Sequence, residues 1–371
     1  MTLEKLAREV TRQSPEIVGK MKSCWRRNRS IPRQLTTLPS QPKWCCYEIQ
    51  AFVFCSSVVV AWPFYAPAGE KFSLPVSASS KVLGYAPLWA ADKKGFFDRE
   101  GLDVEVTVTR GTSPSMQALM AESIRVALSA NDGPIGLVEK GANLSMIAGG
   151  SKTTHMIMGG KNIETFEDLR GATIGSSTLT SGTAFLLRRV LKEKGLEYPK
   201  DYSLVNVGGS GPALMALSAG KVDAAMLAVP LNFKAEQLGL HLIGKATDVF
   251  PNYLLSSFTV QREWAAAHQP QVIKFLKALL QARRWLEDDR EGAVAFLAGD
   301  LALKPALARK GLDYYLQHRA WEPDLSIDLD GLNAVIEVYA AQAGMTGPLP
   351  KPTKYVDLSY LDEALKELGW R

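Results

Sequence analysis

Hydrophobic and polar residues alternate with a period of two in several short segments after residue 69, and between these segments the spacing changes to that of helices. Residues 71–77 and 102–108 (LDVEVTV) alternate as strands do, while residues 86–97 (APLWAADKKGFF) have a helical pattern. Strand and helix patterns continue in turn as far as residue 260, and helical patterns then dominate residues 270–368. This order predicts an α/β protein with mostly parallel sheets and a helical C-terminal region.

Two segments of the alternating region repeat each other at a constant offset of 98 residues. Residues 111–130 (GTSPSMQALMAESIRVALSA) and 209–228 (GSGPALMALSAGKVDAAMLA) are identical at seven of twenty positions. Both are rich in Ala, Leu and Ser, which raises chance identity, but they also share the order loop, helix, strand, loop. We therefore predict two similar helix–strand units in separate lobes, with the following loops, 130–132 and 228–230, open to one cleft.

Charge and cysteine separate the first 68 residues from the rest of the chain. The formal net charge is +5, but residues 1–68 hold ten of the 43 basic residues and only four of the 38 acidic ones. The remainder is nearly neutral and has no basic patch, so nucleic-acid binding is not expected. All four cysteines precede residue 56, which excludes a disulfide framework, a thiolate zinc site and a cysteine nucleophile from the main body.

An uncharged stretch covers residues 49–69, and its apolar core (AFVFCSSVVVA) has eleven residues. This length is typical of the apolar part of a signal peptide and too short for a membrane span. Basic residues precede it, and the small residues APA at 66–68 offer a cleavage site before Gly69. We therefore predict that residues 1–68 are an over-extended N-terminus with a signal peptide and that the mature protein is periplasmic. A retained N-terminal membrane anchor is the alternative.

Three segments resemble one known family in the order in which they occur. Residues 83–106 (LGYAPLWAADKKGFFDREGLDVEV), 167–196 (EDLRGATIGSSTLTSGTAFLLRRVLKEKGL) and 217–230 (LSAGKVDAAMLAVP) are similar to substrate-binding proteins of nitrate, sulfonate and taurine ABC importers. Proteins resembling thiamine-pyrimidine synthases belong to the same superfamily. The resemblance covers roughly residues 75–300.

The resemblance implies a two-lobed periplasmic-binding-protein fold of the type II kind, in which the chain crosses between lobes twice. We place these crossings near His155–Gly159 and 254–260. Lobe 1 would then contain residues 69–155 and 256–371, the latter mostly helical, and lobe 2 would contain residues 156–255. The two repeat copies would lie in different lobes.

Ligands of open α/β sheets bind beyond the carboxyl ends of strands, where helices begin. Hydroxyl groups and free backbone N–H groups at such places suit an oxyanion or a carbonyl group. Four loops of this composition follow predicted strands, and the densest is 176–183. The candidate ligand-binding residues are Ser79, Ser80, Gly84, Tyr85, Thr112, Ser113, Asn131, Ser177, Thr178, Thr180, Ser181, Gly182, Thr183 and Val229.

Each candidate also has an ordinary structural interpretation. A single Ser or Thr at a helix start is more often a cap than a ligand contact. Tyr85 and Trp89, four residues apart on a helix, are more often core residues than a stacking pair. Asp132 and Arg110 are the charges nearest the expected cleft, and either would decide the sign of the ligand unless it is merely solvated. His155 is more consistent with a structural histidine than with a site residue.

The sequence contains no complete enzyme motif. Residues 239–246 (GLHLIGKA) have the Gly and Lys spacing of a P-loop, but Ala246 replaces the hydroxyl residue that binds Mg²⁺. The four histidines are scattered, without metal-ligand spacing. We therefore predict no catalytic residue, no metal and no cofactor.

The resemblance, together with the predicted export signal, implies an exported, non-enzymatic, monomeric protein that captures a small solute between two lobes and delivers it to the inner-membrane permease of an ABC importer. The expected solute is anionic or polar, such as a sulfonate, a nitrate-like anion or a pyrimidine-like compound. One alternative is an enzyme on the same scaffold, resembling either a pyrimidine-precursor synthase or a sulfinate-cleaving enzyme. The other is the ligand-sensing module of a membrane receptor.

Overall fold

The computed structural model describes residues 71–177, 179 and 181–370. The predicted signal peptide, its cleavage before Gly69 and the candidates Thr178 and Thr180 lie outside these residues. In the part of the chain that is described, no helix is both long and apolar enough to span a membrane.

The described strands form two five-stranded sheets. They are β1 (Phe72–Ala78), β2 (Leu102–Val108), β3 (Val126–Ala130), β4 (Leu144–Lys152), β5 (His155–Gly159), β6 (Thr173–Ser176), β7 (Ser203–Asn206), β8 (Ala224–Ala228), β9 (His241–Lys245) and β10 (Leu254–Gln261). The strand order is β2-β1-β3-β10-β4 in the first sheet and β7-β6-β8-β5-β9 in the second. We call each sheet with the helices that cover it lobe 1 and lobe 2, respectively.

At each corresponding position, the strands of the two sheets run in the same relative direction. The central strand of each, β3 or β8, runs parallel to one neighbour and antiparallel to the other. The prediction of mostly parallel sheets therefore holds for four strands of each sheet. The fifth, β10 or β5, is reversed because it enters its sheet directly after the chain has crossed from the other lobe.

Helices follow the strands and then make up nearly all of the C-terminal region. They are α1 (Ala86–Lys93), α2 (Phe96–Arg99), α3 (Thr112–Met120), α4 (Asp132–Glu139), α5 (Gly182–Glu193), α6 (Ser210–Ser218), α7 (Leu231–Gln237), α8 (Arg262–Ala267), α9 (Gln269–Asp288), α10 (Arg290–Asp300), α11 (Pro305–Gln317), α12 (Leu329–Ala343) and α13 (Ser359–Glu367). The predicted helix at 86–97 is divided because Gly95 has a φ of 71°, in the left-handed region that ends a helix.

The sequence repeat corresponds to a structural repeat with the same offset. Helix α3 and strand β3 of lobe 1 match helix α6 and strand β8 of lobe 2 in length, and each pair of elements begins 98 residues apart. The two strands occupy the central position of their respective sheets. The helix–strand units predicted from the repeat therefore lie in separate lobes.

The chain crosses between the sheets just before each of the positions expected from the resemblance. Residues 153–154 join β4 to β5, and residues 246–253 join β9 to β10. The two crossing segments lie side by side, since the N–H of Thr153 donates to the carbonyl oxygen of Tyr253 at 2.9 Å. The segments expected as crossings, His155–Gly159 and 254–260, are instead the reversed strands themselves. The assignment of residues 69–155, 156–255 and 256–371 to whole lobes stays a prediction.

Helix α12 connects the helical C-terminal region to both lobes. It packs on α4 of lobe 1 and on α5 of lobe 2. Ile135 of α4, Leu187 of α5 and Ile336 of α12 belong to one buried apolar cluster. At its N-terminal end, α12 lies against the second crossing segment. A Cβ atom on Gly331 would come within 2.0 Å of the carbonyl oxygen of Asn252.

Replacing Gly331 by alanine is expected to lower the free energy of unfolding by about 1–3 kcal/mol, because the new methyl group overlaps a backbone oxygen that cannot rotate away. Gly299 of α10 is a matched control, since a Cβ atom there would meet nothing within 4 Å. Gly299→Ala should be neutral or stabilise by about 0.5–1 kcal/mol. Urea denaturation of both variants tests this, and equal stabilities would contradict the packing of α12 on the crossing segment.

Candidate functional site

The loop after β1 is tied into the interior of lobe 1 by its hydroxyl groups. Ser79 Oγ and Tyr85 Oη are 2.9 Å apart, and both side chains are buried. Burial raises the pKa of Tyr85 to about 12, and the charge of Asp132 acts in the same direction. Ser80 is partly exposed. Tyr85 is therefore a neutral, buried hydrogen-bonding group rather than a free surface ring.

Gly84 lies in a crowded polar environment in the same loop. A Cβ atom there would be 3.0 Å from both Ser151 Oγ and Tyr315 Oη. The indole N–H of Trp321 donates to the carbonyl oxygen of Gly84 at 2.8 Å. The C-terminal helical region thereby fixes the backbone of this loop through α11 and the residues that follow it.

In the loop after β3, the amide group of Asn131 is engaged within lobe 1. Its Nδ2 donates to the carbonyl oxygen of Leu254 at 2.9 Å, and its Oδ1 accepts from Ser257 Oγ. Thr112, at the start of α3, places its methyl group beside Gly133, while Ser113 is exposed. Asn131 thus holds β10 to the loop, and its contact with a ligand stays a prediction.

The hydroxyl groups at the start of α5 are hydrogen-bonded to one another. Ser177 Oγ lies 2.8 Å from both Ser181 Oγ and Thr183 Oγ1, and the last two atoms are 3.0 Å apart. Ser181 is the N-cap, because its Oγ accepts from the N–H of Ala184 at 3.3 Å. The cluster therefore stabilises the helix start, whatever else it binds.

Replacing Ser181 by alanine should lower the free energy of unfolding of the ligand-free protein by about 1 kcal/mol, because the cap is lost. If the hydroxyl also contacts the ligand in a buried site, affinity should weaken by about 1–3 kcal/mol as well. Measuring stability and affinity on the same variant separates the two roles. Unchanged stability would contradict the capping role that the structure shows.

The loop after β3 and the start of α5 meet across the two lobes. Gly182 is buried, and a Cβ atom there would lie 2.6 Å from Oδ1 of Asp132. Asp132 belongs to lobe 1 and Gly182 to lobe 2, so the carboxyl group faces the helix N-terminus of the opposite lobe. The predicted loop 130–132 therefore does lie at the junction of the lobes.

The second predicted loop, 228–230, also lies at a junction. Val229 is buried. A Cβ atom on Gly311 of α11 would lie 2.7 Å from Leu83 Cδ2 and 3.1 Å from Pro230 Cβ. Leu83 belongs to the loop after β1, so Gly311 lies between this loop and Pro230 of lobe 2. The loop 228–230 therefore lies against the helical C-terminal region, and its opening onto the cleft between the lobes stays a prediction.

Several buried polar residues near the crossing segments were not among the sequence-based candidates. Ser151 Oγ lies 3.2 Å from Ser256 Oγ, Thr154 Oγ1 lies 3.1 Å from Tyr315 Oη, and Thr153 Oγ1 lies 3.1 Å from His155 Nδ1. The only signal for them was the pair of serines in the middle of the apolar pattern YLLSSFTV. His155 is a structural histidine here, since burial lowers its pKa to about 4.

Two surface cavities lie away from all of these residues. One of about 610 Å³ is lined by residues such as Gly160, Leu217 and Asp223 in lobe 2. The other, of about 230 Å³, lies beside Met120 and Gln261 in lobe 1. Neither is lined by a candidate residue, and among the described residues no group of three or more His, Cys, Asp or Glu side chains could hold a metal ion. The junction of the lobes is thus the better candidate site.

The fold is that of periplasmic binding proteins. The chain is similar to the aliphatic sulphonate-binding protein SsuA of Escherichia coli, with 18% identity, a TM-score of 0.63, and coverage of 78% of this chain and 99% of that one. It is also similar to the nitrate-binding protein NrtA of Synechocystis, with 15% identity, a TM-score of 0.65, and coverage of 81% and 89%.

Sequence comparison identifies the family. The sequence model described as NMT1/THI5 like matches residues 83–293, more than half of the chain, so the protein belongs to this family. A curated relative, the putative binding protein YtlA of Bacillus subtilis, is 22% identical over 291 residues, which cover 76% of this chain and 86% of that one. The family expected from the three sequence segments is therefore confirmed.

Proposed function

We propose that this protein is a solute-binding protein that captures a small molecule between its lobes and delivers it to the permease of an ABC importer. The observation that carries the proposal is the approach of the loop 130–132 to the N-terminus of α5. Each lies beyond the carboxyl end of a strand in its own sheet, β3 or β6, so the ligand-binding edges of both sheets face each other. The names of YtlA and of the similar solved structures support the same role.

Opening would separate the lobes about the paired crossing segments. Residues 153–154 and 246–253 are the two connections between the sheets, and they are hydrogen-bonded to each other. A ligand that contacts both lobes binds the closed form more tightly than the open one, and only this difference in affinity shifts the population. The candidate solutes are sulfonates, nitrate-like anions and pyrimidine-like compounds.

A non-catalytic role agrees with the cysteine distribution. Proteins resembling the pyrimidine synthases carry a cysteine-rich motif, and the sulfinate-cleaving enzymes use a cysteine nucleophile, but residues 56–371 contain no cysteine. We therefore propose binding without chemical conversion. Incubation with a bound solute, followed by mass spectrometry of the released compound, should return it unchanged.

Export to the periplasm is part of the proposal. It rests on the uncharged stretch 49–69 and on the change of charge at residue 69. Expression in a Gram-negative host followed by N-terminal sequencing of the periplasmic fraction should give a start near Gly69. Recovery of the protein only from the cytosol with residues 1–68 intact would contradict export, and recovery from the membrane would indicate an anchor.

Binding between the lobes is tested by a larger side chain at Gly182. A thermal-shift screen with sulfonates, oxyanions, amines and heterocycles first finds a solute. Gly182→Val should then abolish its binding, because the side chain occupies the space of the Asp132 carboxyl group and holds the lobes apart. Gly211→Val at the start of α6 is the control, since a Cβ atom there meets nothing within 4 Å. Equal binding by both variants would rule out a site between the lobes.

A further inference from the structure

The carboxyl group of Asp132 lies at the junction of the lobes, where the residue as a whole is half-buried and its carboxyl group is incompletely satisfied. Its Oδ1 is shut off from solvent and has no hydrogen-bond partner among the described residues. Burying an ionised carboxylate without a partner is strongly unfavourable, so such a group is usually paired, protonated or completed by a ligand. Burial raises the pKa of Asp132, and the nearby backbone N–H groups of Asp132, Gly133 and Gly182 offset this only in part.

No cation of the described residues compensates this charge. The groups that lower the pKa of Asp132 are backbone N–H groups, with no lysine, arginine or histidine among them. The charge of Asp132 helps to raise the pKa of three tyrosines, Tyr85, Tyr253 and Tyr339. Tyr85 and Tyr253 are buried. The carboxyl group therefore lies at a helix N-terminus without a cationic side chain to pair with it.

This environment selects against an anionic solute. The N-terminus of α5 favours negative charge, but the carboxyl group of Asp132 already lies beside its first residue, Gly182. A sulfonate or nitrate placed there would come next to this carboxylate, a second negative group. A nitrogen that donates a hydrogen bond, above all a charged one, would instead supply the partner that Oδ1 lacks.

We propose that Asp132 binds a protonated amine or an amidine in the solute that the protein carries. This ligand class rests on the proposed function, and it narrows the range of solutes that the fold leaves open. The two oxygens of a carboxylate match an N–C–N–H edge, which presents two donors or a donor and a cation.

The test uses the full-length protein at pH 7.5 and two sets of probes. The nitrogen probes are benzamidine and n-butylammonium, and the anion probes are ethanesulfonate and nitrate. Isothermal titration should show binding of at least one nitrogen probe and of neither anion. Asp132→Asn should weaken that binding at least tenfold. Asp330→Asn, an exposed acid in the first turn of α12, should leave it unchanged.

The outcomes separate this ligand class from the proposed function. Binding of ethanesulfonate or nitrate to the wild-type protein, unaffected by Asp132→Asn, would overturn the role of Asp132 while supporting a solute-binding protein. Nitrogen-probe binding that is equal in Asp132→Asn and Asp330→Asn would also overturn it. If the thermal-shift screen finds no solute of any class, the proposed function fails, and the ligand class fails with it.

Discussion

Replacing Trp321 by alanine is expected to lower the free energy of unfolding by about 3–5 kcal/mol, the range for removing a fully buried large aromatic side chain. Trp321 has no exposed surface, and its ring centroid lies 4.4 Å from that of Tyr315. Its indole N–H also donates to the carbonyl oxygen of Gly84 at 2.8 Å. The substitution therefore leaves a large cavity and a buried carbonyl oxygen without its donor.

Two further variants make this prediction specific. Trp321→Phe keeps most of the apolar volume but loses the donor, so its loss should be smaller, about 1–3 kcal/mol. Trp370→Ala, at a partly exposed tryptophan near the end of α13, should cost less than Trp321→Ala. Urea denaturation followed by circular dichroism gives all three values. A loss below about 1 kcal/mol for Trp321→Ala would contradict the complete burial of the Trp321 side chain.

Acidification should destabilise the protein by about 3 kcal/mol through His155 alone, because a difference of one pKa unit is worth about 1.4 kcal/mol. Burial lowers the pKa of His155 from 6.5 to about 4 in the folded protein. The unfolded chain takes up the proton near pH 6.5, whereas the folded protein takes it up only near pH 4. This stabilisation is therefore complete above pH 6.5 and is lost as the pH falls from 6.5 to about 4.

The free energy of unfolding, measured by urea denaturation at pH 7.5 and pH 5, tests the histidine directly. About 2 kcal/mol of the effect should have been lost at pH 5, before most carboxyl groups titrate. His155→Gln cannot take up a proton, so its loss over the same interval should be smaller by that amount. An equal pH dependence in both proteins would contradict a buried, neutral His155. The raised pKa of Asp132 has the opposite effect on the free energy of unfolding as the pH falls, and this effect is the same in the wild-type protein and in His155→Gln.

Sequence patterns were sufficient for the helices and strands because these elements are local. Strand β2 has the bounds that its alternation predicts, and the repeat places α3 and β3 against α6 and β8 with an unchanged offset of 98 residues. The order of strands within a sheet depends on pairing between distant segments, such as β3 with β10. Periodicity alone could not supply that order, and the family resemblance supplied only the two lobes and the two crossings between them.

The site was predicted less well, because burial at a junction of lobes leaves little trace in sequence. The hydroxyls of Ser177, Ser181 and Thr183 were found as a cluster, yet in the structure they bind one another and cap α5. Asp132 was noted only as a charge near the cleft. Its Oδ1 lies beside Gly182, which is fifty residues later in the chain and in the other lobe. Such a contact has no periodicity that a sequence pattern could show.

The placement of β10 also sets the order in which the two sheets can form during synthesis. All five strands of lobe 2 lie between His155 and Lys245, so this sheet has its complete set of strands when Lys245 has left the ribosome. The sheet of lobe 1 begins earlier in the chain but cannot be completed until β10 has been made. Its edge strand β4 pairs in the sheet only with β10, about one hundred residues further on. Closing such a long loop is slow. Lobe 1, whose synthesis begins before that of lobe 2, is therefore completed after it.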